Sequence, residues 1–397
     1  MITTLLLDLD DTLLVNDTNI FIPSYMELLS QHLAPILPTE KMVHALHQGT
    51  QAMMGNNDPD KTLAEVFIET FCSALGMVHE EIMPHFDSFY AEQFKKLKHL
   101  TQPIPAAHRL ITYAMENQYD IVIATNSLFP LTAIAQRLEW AGLPVAQYPF
   151  TLITSYETFH YAKPQLEYIA EILAKCGRHS HEAAMIGNDL LLDLPPAAEL
   201  GVAVFHISDD TDSPYPSGDL DAAIQWLQET PPDSDPTRCT SPKTLLARLR
   251  GNLIVFAELE NMIREDQWQR KTSPEVWAPI EVLCHLRDVE KEINHPRTER
   301  ILKEVRPFLN APDSDRWAEE RGYINEEPSQ VCDDLTQARR RTLSLLEVQP
   351  LDAWDQPARH AIFGPTQLSE IVRIFLEHDI LHIRQIKETI AALDSIQ

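Results

Sequence analysis

Residues 1–7 form a short apolar run that includes Thr3 and Thr4 and stops at Asp8, Asp10 and Asp11. A buried strand that ends at a polar site has this form. Over about 22–100 the apolar positions recur instead at intervals of three and four. Within 61–75, for example, Leu63, Val66, Phe67, Phe71 and Leu75 share one face, so this block is expected to be helical. Its aromatics Phe67, Phe71, Phe86, Phe89 and Tyr90 read as its own core. Past Pro103 and Pro105 the two periods alternate: a helical segment, a β-branched run at 120–124, a helix at 131–141, a run at 150–154, a helix at 164–176, a run at 183–186, a helix near Ala197 and a run at 202–207. Strands alternating with helices predict a parallel sheet.

The alternation ends at residues 230–242, TPPDSDPTRCTSP, which hold four prolines and two aspartates and no apolar period. Such a stretch is expected to be a linker. Beyond it only the helical period remains, at 245–263, 276–305, 330–346 and 368–393, which predicts a four-helix bundle. The expected organisation is an α/β part at 1–229, with its core at about 1–16 and 101–229 and a helical cap at about 17–100. The linker at 230–242 then leads to an all-α bundle at 243–397.

Composition narrows the partners. Lys plus Arg number 32 against 59 for Asp plus Glu, a net charge of −27, so a nucleic-acid backbone would be repelled. The five cysteines, Cys72, Cys176, Cys239, Cys284 and Cys332, contain no CxxC pair and read as reduced thiols. No stretch reaches about 18 uncharged apolar residues, and no basic segment precedes the first apolar run. The chain is therefore expected to be cytoplasmic, without a membrane partner. A second copy of the chain is a candidate partner.

The first run carries chemistry. Asp8 and Asp10 stand two apart just past a strand end, where both can face one crevice. One carboxylate there can attack phosphorus while the other protonates the leaving oxygen and then activates water. Two negative groups beside a phosphate call for a hard cation, and Mg²⁺ fits. Thr125 and Asn126 follow the run at 120–124 and offer a hydroxyl and backbone N–H groups to phosphate oxygens. Lys163 supplies positive charge, and Asn188, Asp189 and Asp193 follow the run at 183–186 with further oxygen ligands.

This order of motifs resembles the haloacid dehalogenase-like (HAD) superfamily, specifically its phosphatases with a helical cap inserted after the first motif. The resemblance covers about 1–228. It implies a Rossmann-like parallel sheet with Asp8 as nucleophile and Asp10 as general acid/base, the main-chain carbonyl of Asp10 also reaching Mg²⁺. Thr125 and Lys163 would hold the phosphoryl group, with Thr12 and Asn126 as further phosphate contacts. The substrate would be a small phosphorylated molecule. The fourth motif usually reads Gly-Asp, whereas here Gly187 is followed by Asn188 and then Asp189; charge favours Asp189 as the ligand. Asp193 would orient Lys163 or serve the metal shell.

In the bundle, His378 and His382 lie four apart on one helix face. With 16 histidines in 397 residues, roughly 0.6 such pairs arise by chance, so a third residue has to decide. His285 lies on the helix that starts near Val276 and can point inward at the other two. The segments 277–286, 364–366 and 378–386 resemble the DinB-like (YfiT-type) four-helix superfamily, over about 242–392. That resemblance implies a three-histidine site for Zn²⁺, Ni²⁺ or Fe²⁺, with metal-dependent thiol transferases among its members. Metal occupancy is expected to fall below about pH 6 as the imidazoles protonate. The alternative is a trio hydrogen-bonded to Glu281, Asp379 and Gln385. Function is expected to be phosphate-ester hydrolysis, with the bundle as the main enzyme or as a binding or dimerisation module in the competing readings. Cys284 and Cys332 read as packing residues.

Overall fold

The computed structural model describes residues 1–210, 212–229 and 240–395. Most of the expected linker, 230–239 with Cys239, lies outside the described residues. The chain divides into two compact units, Met1–Ile169 with Ser180–Pro236 and Ala170–His179 with Thr237–Gln397. Residues 170–179, expected in the α/β part, thus group with the second unit.

The strands of the first unit are β1 (Thr4–Leu7), β2 (Leu14–Val15), β3 (Gln102–Pro103), β4 (Asp120–Ile123), β5 (Phe150–Ile153), β6 (Ala183–Gly187), β7 (Ala203–Ile207) and β8 (Ser217–Gly218). Among the described residues six of them form one sheet in the order β5-β4-β1-β6-β7-β8, with each pairing parallel. Every residue of β1 and β6 is buried, as expected of strands covered on both faces. The two-residue strands β2, β3 and β8 are too short to have left a period in the sequence.

The helices of residues 1–229 are α1 (Thr18–Leu33), α2 (Thr39–Met54), α3 (Leu63–Leu75), α4 (His79–Ser88), α5 (Pro105–Glu116), α6 (Leu131–Trp140), α7 (Leu166–Cys176, which groups with the second unit from Ala170 on), α8 (Leu194–Glu199) and α9 (Leu220–Gln228). The first four, with a π turn at Phe89–Gln93 and a 3-10 stretch at Phe94–Leu100, make the cap. The cap is inserted between β2 and β3, which pair antiparallel through Leu14 with Pro103 and Val15 with Gln102. A capping box of Thr62 and Glu65 starts α3. Helices α2 and α3 approach closely at Gly49, where a Cβ would sit 2.7 Å from the Phe67 ring.

The second unit contains α10 (Pro242–Met262), α11 (Pro279–Val289), α12 (His295–Lys303), α13 (Trp317–Glu320), α14 (Pro328–Glu347) and α15 (Leu368–Ser395). The helix expected at 276–305 is α11 and α12 joined by a π turn at Glu290–Asn294. Pro296 lacks the N–H a regular turn needs and its ring crowds the carbonyl four residues back, so the widened turn falls just before it. The bundle also carries a small sheet of β9 (Phe308–Leu309), β10 (Pro357–His360) and β11 (Gly364–Gln367) in the order β11-β10-β9. Among the described residues no helix is long and apolar enough to cross a membrane.

The centre of this unit is polar. Arg339 on α14 is buried and donates to both carboxylate oxygens of Asp379 on α15, at 2.5 and 3.0 Å, and to Glu290 of the π turn at 2.9 Å. Asn252 also donates to Asp379, while Asn294 and Thr342 donate to Glu290. Burial opposes the charge of Arg339, but the two carboxylates overcome it and hold the guanidinium well above its ordinary range. Removing the cation leaves two buried carboxylates that repel each other. Arg339→Ala is therefore expected to destabilise the second unit by roughly 3–5 kcal/mol, read as a shifted transition in chemical denaturation of the full chain followed by tryptophan fluorescence. An Arg339→Ala transition coincident with wild type would show that the network adds nothing to stability.

Candidate functional site

In an open parallel sheet, ligands bind outside the carboxyl ends of the strands, where neighbouring connections diverge. Here β1 lies between β4 and β6, so the chain leaving all three ends opens onto one crevice. Asp8 and Asp10 follow β1, Thr125 and Asn126 follow β4, and Asn188 and Asp189 follow β6. Lys163 arrives from the loop after β5, and Asp193 precedes α8. All eight line one cavity of about 260 Å³.

Lys163 organises its floor. Its buried ammonium donates to Asp8 Oδ1 at 2.7 Å and to Asp193 Oδ1 at 2.5 Å. The other oxygen of Asp193 accepts the backbone N–H of Asp189 at 3.2 Å. Asp189 Oδ1 accepts from the backbone of Leu191 and Leu192, at 2.7 and 2.9 Å. The Thr125 carbonyl accepts from the hydroxyls of Thr154 and Tyr168, both at 2.7 Å, which fixes the start of the loop after β4. Thr12 lies beneath the site: it is fully buried and its hydroxyl donates to Asn188 Oδ1 at 3.3 Å, so it supports Asn188 instead of facing the cavity as expected.

The electrostatics are lopsided. Five carboxylates, those of Asp8, Asp10, Asp11, Asp189 and Asp193, share the cavity with two cations, Lys163 and Arg137. Burial, with Asp193 close by, pushes the Asp8 carboxyl up to about 7 even though Lys163 pulls the other way. One ammonium divided between two buried carboxylates cannot compensate both. Burial opposes the charge of Lys163 as well, yet Asp193 and Asp8 outweigh it and raise the ammonium above its usual range.

In the second unit the expected histidines also meet. His285 Nε2 lies 3.1 Å from His378 Nε2, which lies 3.2 Å from His382 Nε2. Nitrogens bound tetrahedrally to one ion at about 2.1 Å stand roughly 3.4 Å apart, close to these spacings. His382 Nδ1 lies 2.8 Å from Gln385 Oε1, which accepts only, so that nitrogen is the donor and Nε2 keeps its lone pair. Of the other expected hydrogen-bond partners, Glu281 is occupied by Lys271 and the Ala278 N–H, and Asp379 by Arg339. Burial followed by the nearby His382 pushes His285 down to about 4, and burial likewise lowers His378 and His382. All three imidazoles are thus neutral at pH 7. Burial raises the thiols of Cys284 and Cys332 to about 12, consistent with packing residues.

Comparison with known proteins finds a family match in each half of the chain. The haloacid dehalogenase-like hydrolase family matches residues 5–207, just over half of the chain. The chain belongs to that family. The DinB superfamily matches residues 248–386, so the chain joins the two. No curated protein matches the chain. Among solved structures, a HAD phosphatase from Thermococcus onnurineus is 17% identical with a TM-score of 0.36, covering 57% of this chain and 98% of its own. CbbY from Rhodobacter sphaeroides, in complex with phosphate, is 14% identical with a TM-score of 0.34, covering 55% and 93%. YfiT from Bacillus subtilis, of four-helix bundle topology, is 18% identical with a TM-score of 0.36, covering 38% and 87%.

The HAD cavity contains two residues that the sequence reading did not single out. Arg137 on α6 forms an ion pair with Asp10, and Asn16 donates to the other Asp10 oxygen at 2.8 Å. Arg137 is 2% exposed, and its Nε and Nη2 have no partner among the described residues. The signal was present: Arg137 falls three residues after Ile134, on the buried stripe of α6, where a cation has to be held by an acid. Asn16 carried no signal, because only the turn after β1 brings it back to Asp10. The absence of a side chain at Gly187 is equally part of this HAD site, since a Cβ there would overlap the Asp193 carboxylate. Gly187→Ala is expected to displace Asp193 and release Lys163, cutting hydrolase activity at least tenfold while the far-ultraviolet circular dichroism stays unchanged. Wild-type activity in this variant would separate Asp193 from the working site.

Proposed function

We propose that the first unit is a Mg²⁺-dependent phosphatase that hydrolyses a small phosphomonoester through an aspartyl-phosphate. The observation that carries this reading is the arrangement of Asp8 and Asp10 at one strand end, with Lys163 held 2.7 Å from Asp8 in a cavity whose acids outnumber its cations. The donor set is all oxygen and its carboxylates outnumber the cations beside them, which suits a hard divalent cation. Asp8, the Asp10 carbonyl and Asp189 would hold it, with Asn188 and Asp193 beside them. When bound, Mg²⁺ would supply positive charge that keeps Asp8 ionised and screens the phosphate oxygens.

In the first step a carboxylate oxygen of Asp8 attacks phosphorus, the bond to the leaving oxygen breaks, and Asp10 donates its proton to that oxygen. In the second, Asp10 takes a proton from water as the water oxygen attacks phosphorus, releasing phosphate and restoring Asp8. Lys163, fixed by Asp193, together with Thr125 and the N–H groups after β4, would hold the phosphoryl oxygens throughout. The unpaired guanidinium N–H groups of Arg137 are further donors for an anion. Asn16 and Arg137 keep Asp10 at the site between steps.

For the second unit we propose a divalent transition-metal site at His285, His378 and His382. Three neutral imidazoles with a fixed tautomer at His382 form a suitable nitrogen donor set for Zn²⁺, Ni²⁺ or Fe²⁺. The surplus carboxylate charge of the Arg339 network favours a cation in this bundle core. A metal-dependent reaction there, thiol transfer or hydrolysis, is the second reading of the protein's activity.

Asp8→Asn replaces the nucleophilic oxygen by an amide of the same shape. Mg²⁺-dependent release of phosphate from a generic phosphomonoester is expected to fall at least a thousandfold with folding retained, and turnover close to wild type in the purified variant would end the aspartyl-phosphate reading. For the bundle, the lowered pKa values mean that each imidazole stays neutral below its ordinary range, so protons compete with a metal later than expected from free histidine. Metal content of the full chain, measured by mass spectrometry after dialysis, is expected to persist below pH 6 and fall as pH drops toward about 4. His378→Ala is expected to carry about one transition-metal ion fewer than wild type, keeping only what the oxygen site of the first unit retains. Equal metal in wild type and variant would leave the trio a structural feature of the bundle.

A further inference from the structure

A second cavity of about 270 Å³ lies inside the first unit, between the cap and the loops that follow the strands. It shares Ile22, Leu128 and Phe129 with the wall of the phosphate-sized cavity, so the two cavities adjoin at these side chains, the Asp8 carboxylate lining one and the cap helices the other. Six rings line it: Tyr25, Phe67, Phe86, Tyr90, Phe129 and Tyr156. The sequence assigned Phe67, Phe86 and Tyr90 to the packed core of the cap. Phe71 and Phe89 do pack there, whereas these three also face the cavity.

The polar groups on this wall are mostly spent. The hydroxyls of Tyr25 and Tyr90 bond to each other at 2.9 Å, and the Thr50 hydroxyl donates to the Leu46 carbonyl at 2.9 Å. His47 and Tyr156 are the other polar side chains there. A sugar or hydroxy-acid entering this space would give up several hydrogen bonds to water and regain few, which is costly. An apolar group would give up nothing and bury its surface. From this we infer that the phosphate ester the first unit takes is that of an apolar alcohol or phenol, its hydrocarbon part seated between the cap helices and Phe129 while its phosphate meets Asp8 and Lys163. This rests on the phosphatase reading and names its substrate class. The volume has room for about nine groups of water or methylene size.

Calorimetric binding of n-alkylphosphonates from methyl to octyl, to the full chain with Mg²⁺ present, tests the inference without requiring turnover. Affinity is expected to rise about fourfold per methylene until the cavity fills. Within Thr50→Trp, and within Met26→Trp from a half-buried position, the octyl-to-methyl affinity ratio is expected to collapse at least tenfold, with folding checked by circular dichroism. Binding that is indifferent to chain length would overturn the inference, as would tighter binding of a hydroxylated phosphonate of equal length or an unchanged ratio in both variants. Turnover of the matching alkyl phosphates is read separately. Affinity that climbs with chain length while none of these esters is cleaved would retain the apolar site and reject the phosphatase reading. No binding at any length would reject both.

Discussion

A single buried ammonium, Lys163 Nζ, stands between Asp8 and Asp193, and the crevice of the first unit is arranged around it. A cation taken out of water is tolerated only where its remaining N–H groups are met and its charge is answered nearby. Both acids come from different strand ends, so satisfying Lys163 requires β1, β6 and the loop after β5 to be in register. The parallel sheet supplies that register, with Leu7 opposite Ile186 and Ile123 on either side. Asp193 extends the constraint by also holding the Asp189 backbone, and Gly187 leaves the space in which it does so.

The bundle repeats the same physical device with different residues. Arg339 is buried between Asp379 and Glu290, again one cation between two acids. In each unit the acids exceed the cations close to the donor groups proposed to take a metal. An excess of buried negative charge is unfavourable by itself. It becomes tolerable where a divalent cation completes the balance, so the same charges that weaken the folded chain would strengthen its metal affinity.

Much of this was legible from the sequence because chemistry and period coincide there. Apolar runs that end in Asp8, Thr125 and Asn188 mark strand ends, and the strand–helix alternation brings such ends together. His378 and His382 were readable as a helical pair, and His285 as their inward-facing third. What escaped notice depended on tertiary packing. Thr12 sits next to Asp8 and Asp10 in sequence, yet the turn at Asp11, with its positive φ of 56°, points its hydroxyl beneath Asn188. Strands β8, β9 and the β2–β3 pair are too short to show a period of two. The cap aromatics show why apolar spacing alone under-reports function: a ring that packs on its neighbours with one edge can line a cavity with the other, and the helical period is the same in both cases.

The two proposed metal sites differ in donor class, and that difference governs how one chain could keep two ions apart. Carboxylate and carbonyl oxygens bind Mg²⁺ adequately but would bind Zn²⁺ or Ni²⁺ more tightly still, since affinity for most donor sets rises along the first-row series. Oxygen donors alone therefore give Mg²⁺ its place only through its abundance. Three imidazoles reverse the contest, because Mg²⁺ gains little from nitrogen donors and sheds water reluctantly. Burial adds to this by keeping His285, His378 and His382 neutral, so the nitrogen site stays available over a wide pH range. The oxygen site behaves in the opposite sense. Asp8 is pushed toward neutrality by its burial, so protons compete for it near pH 7 and its hold on a cation strengthens as pH rises.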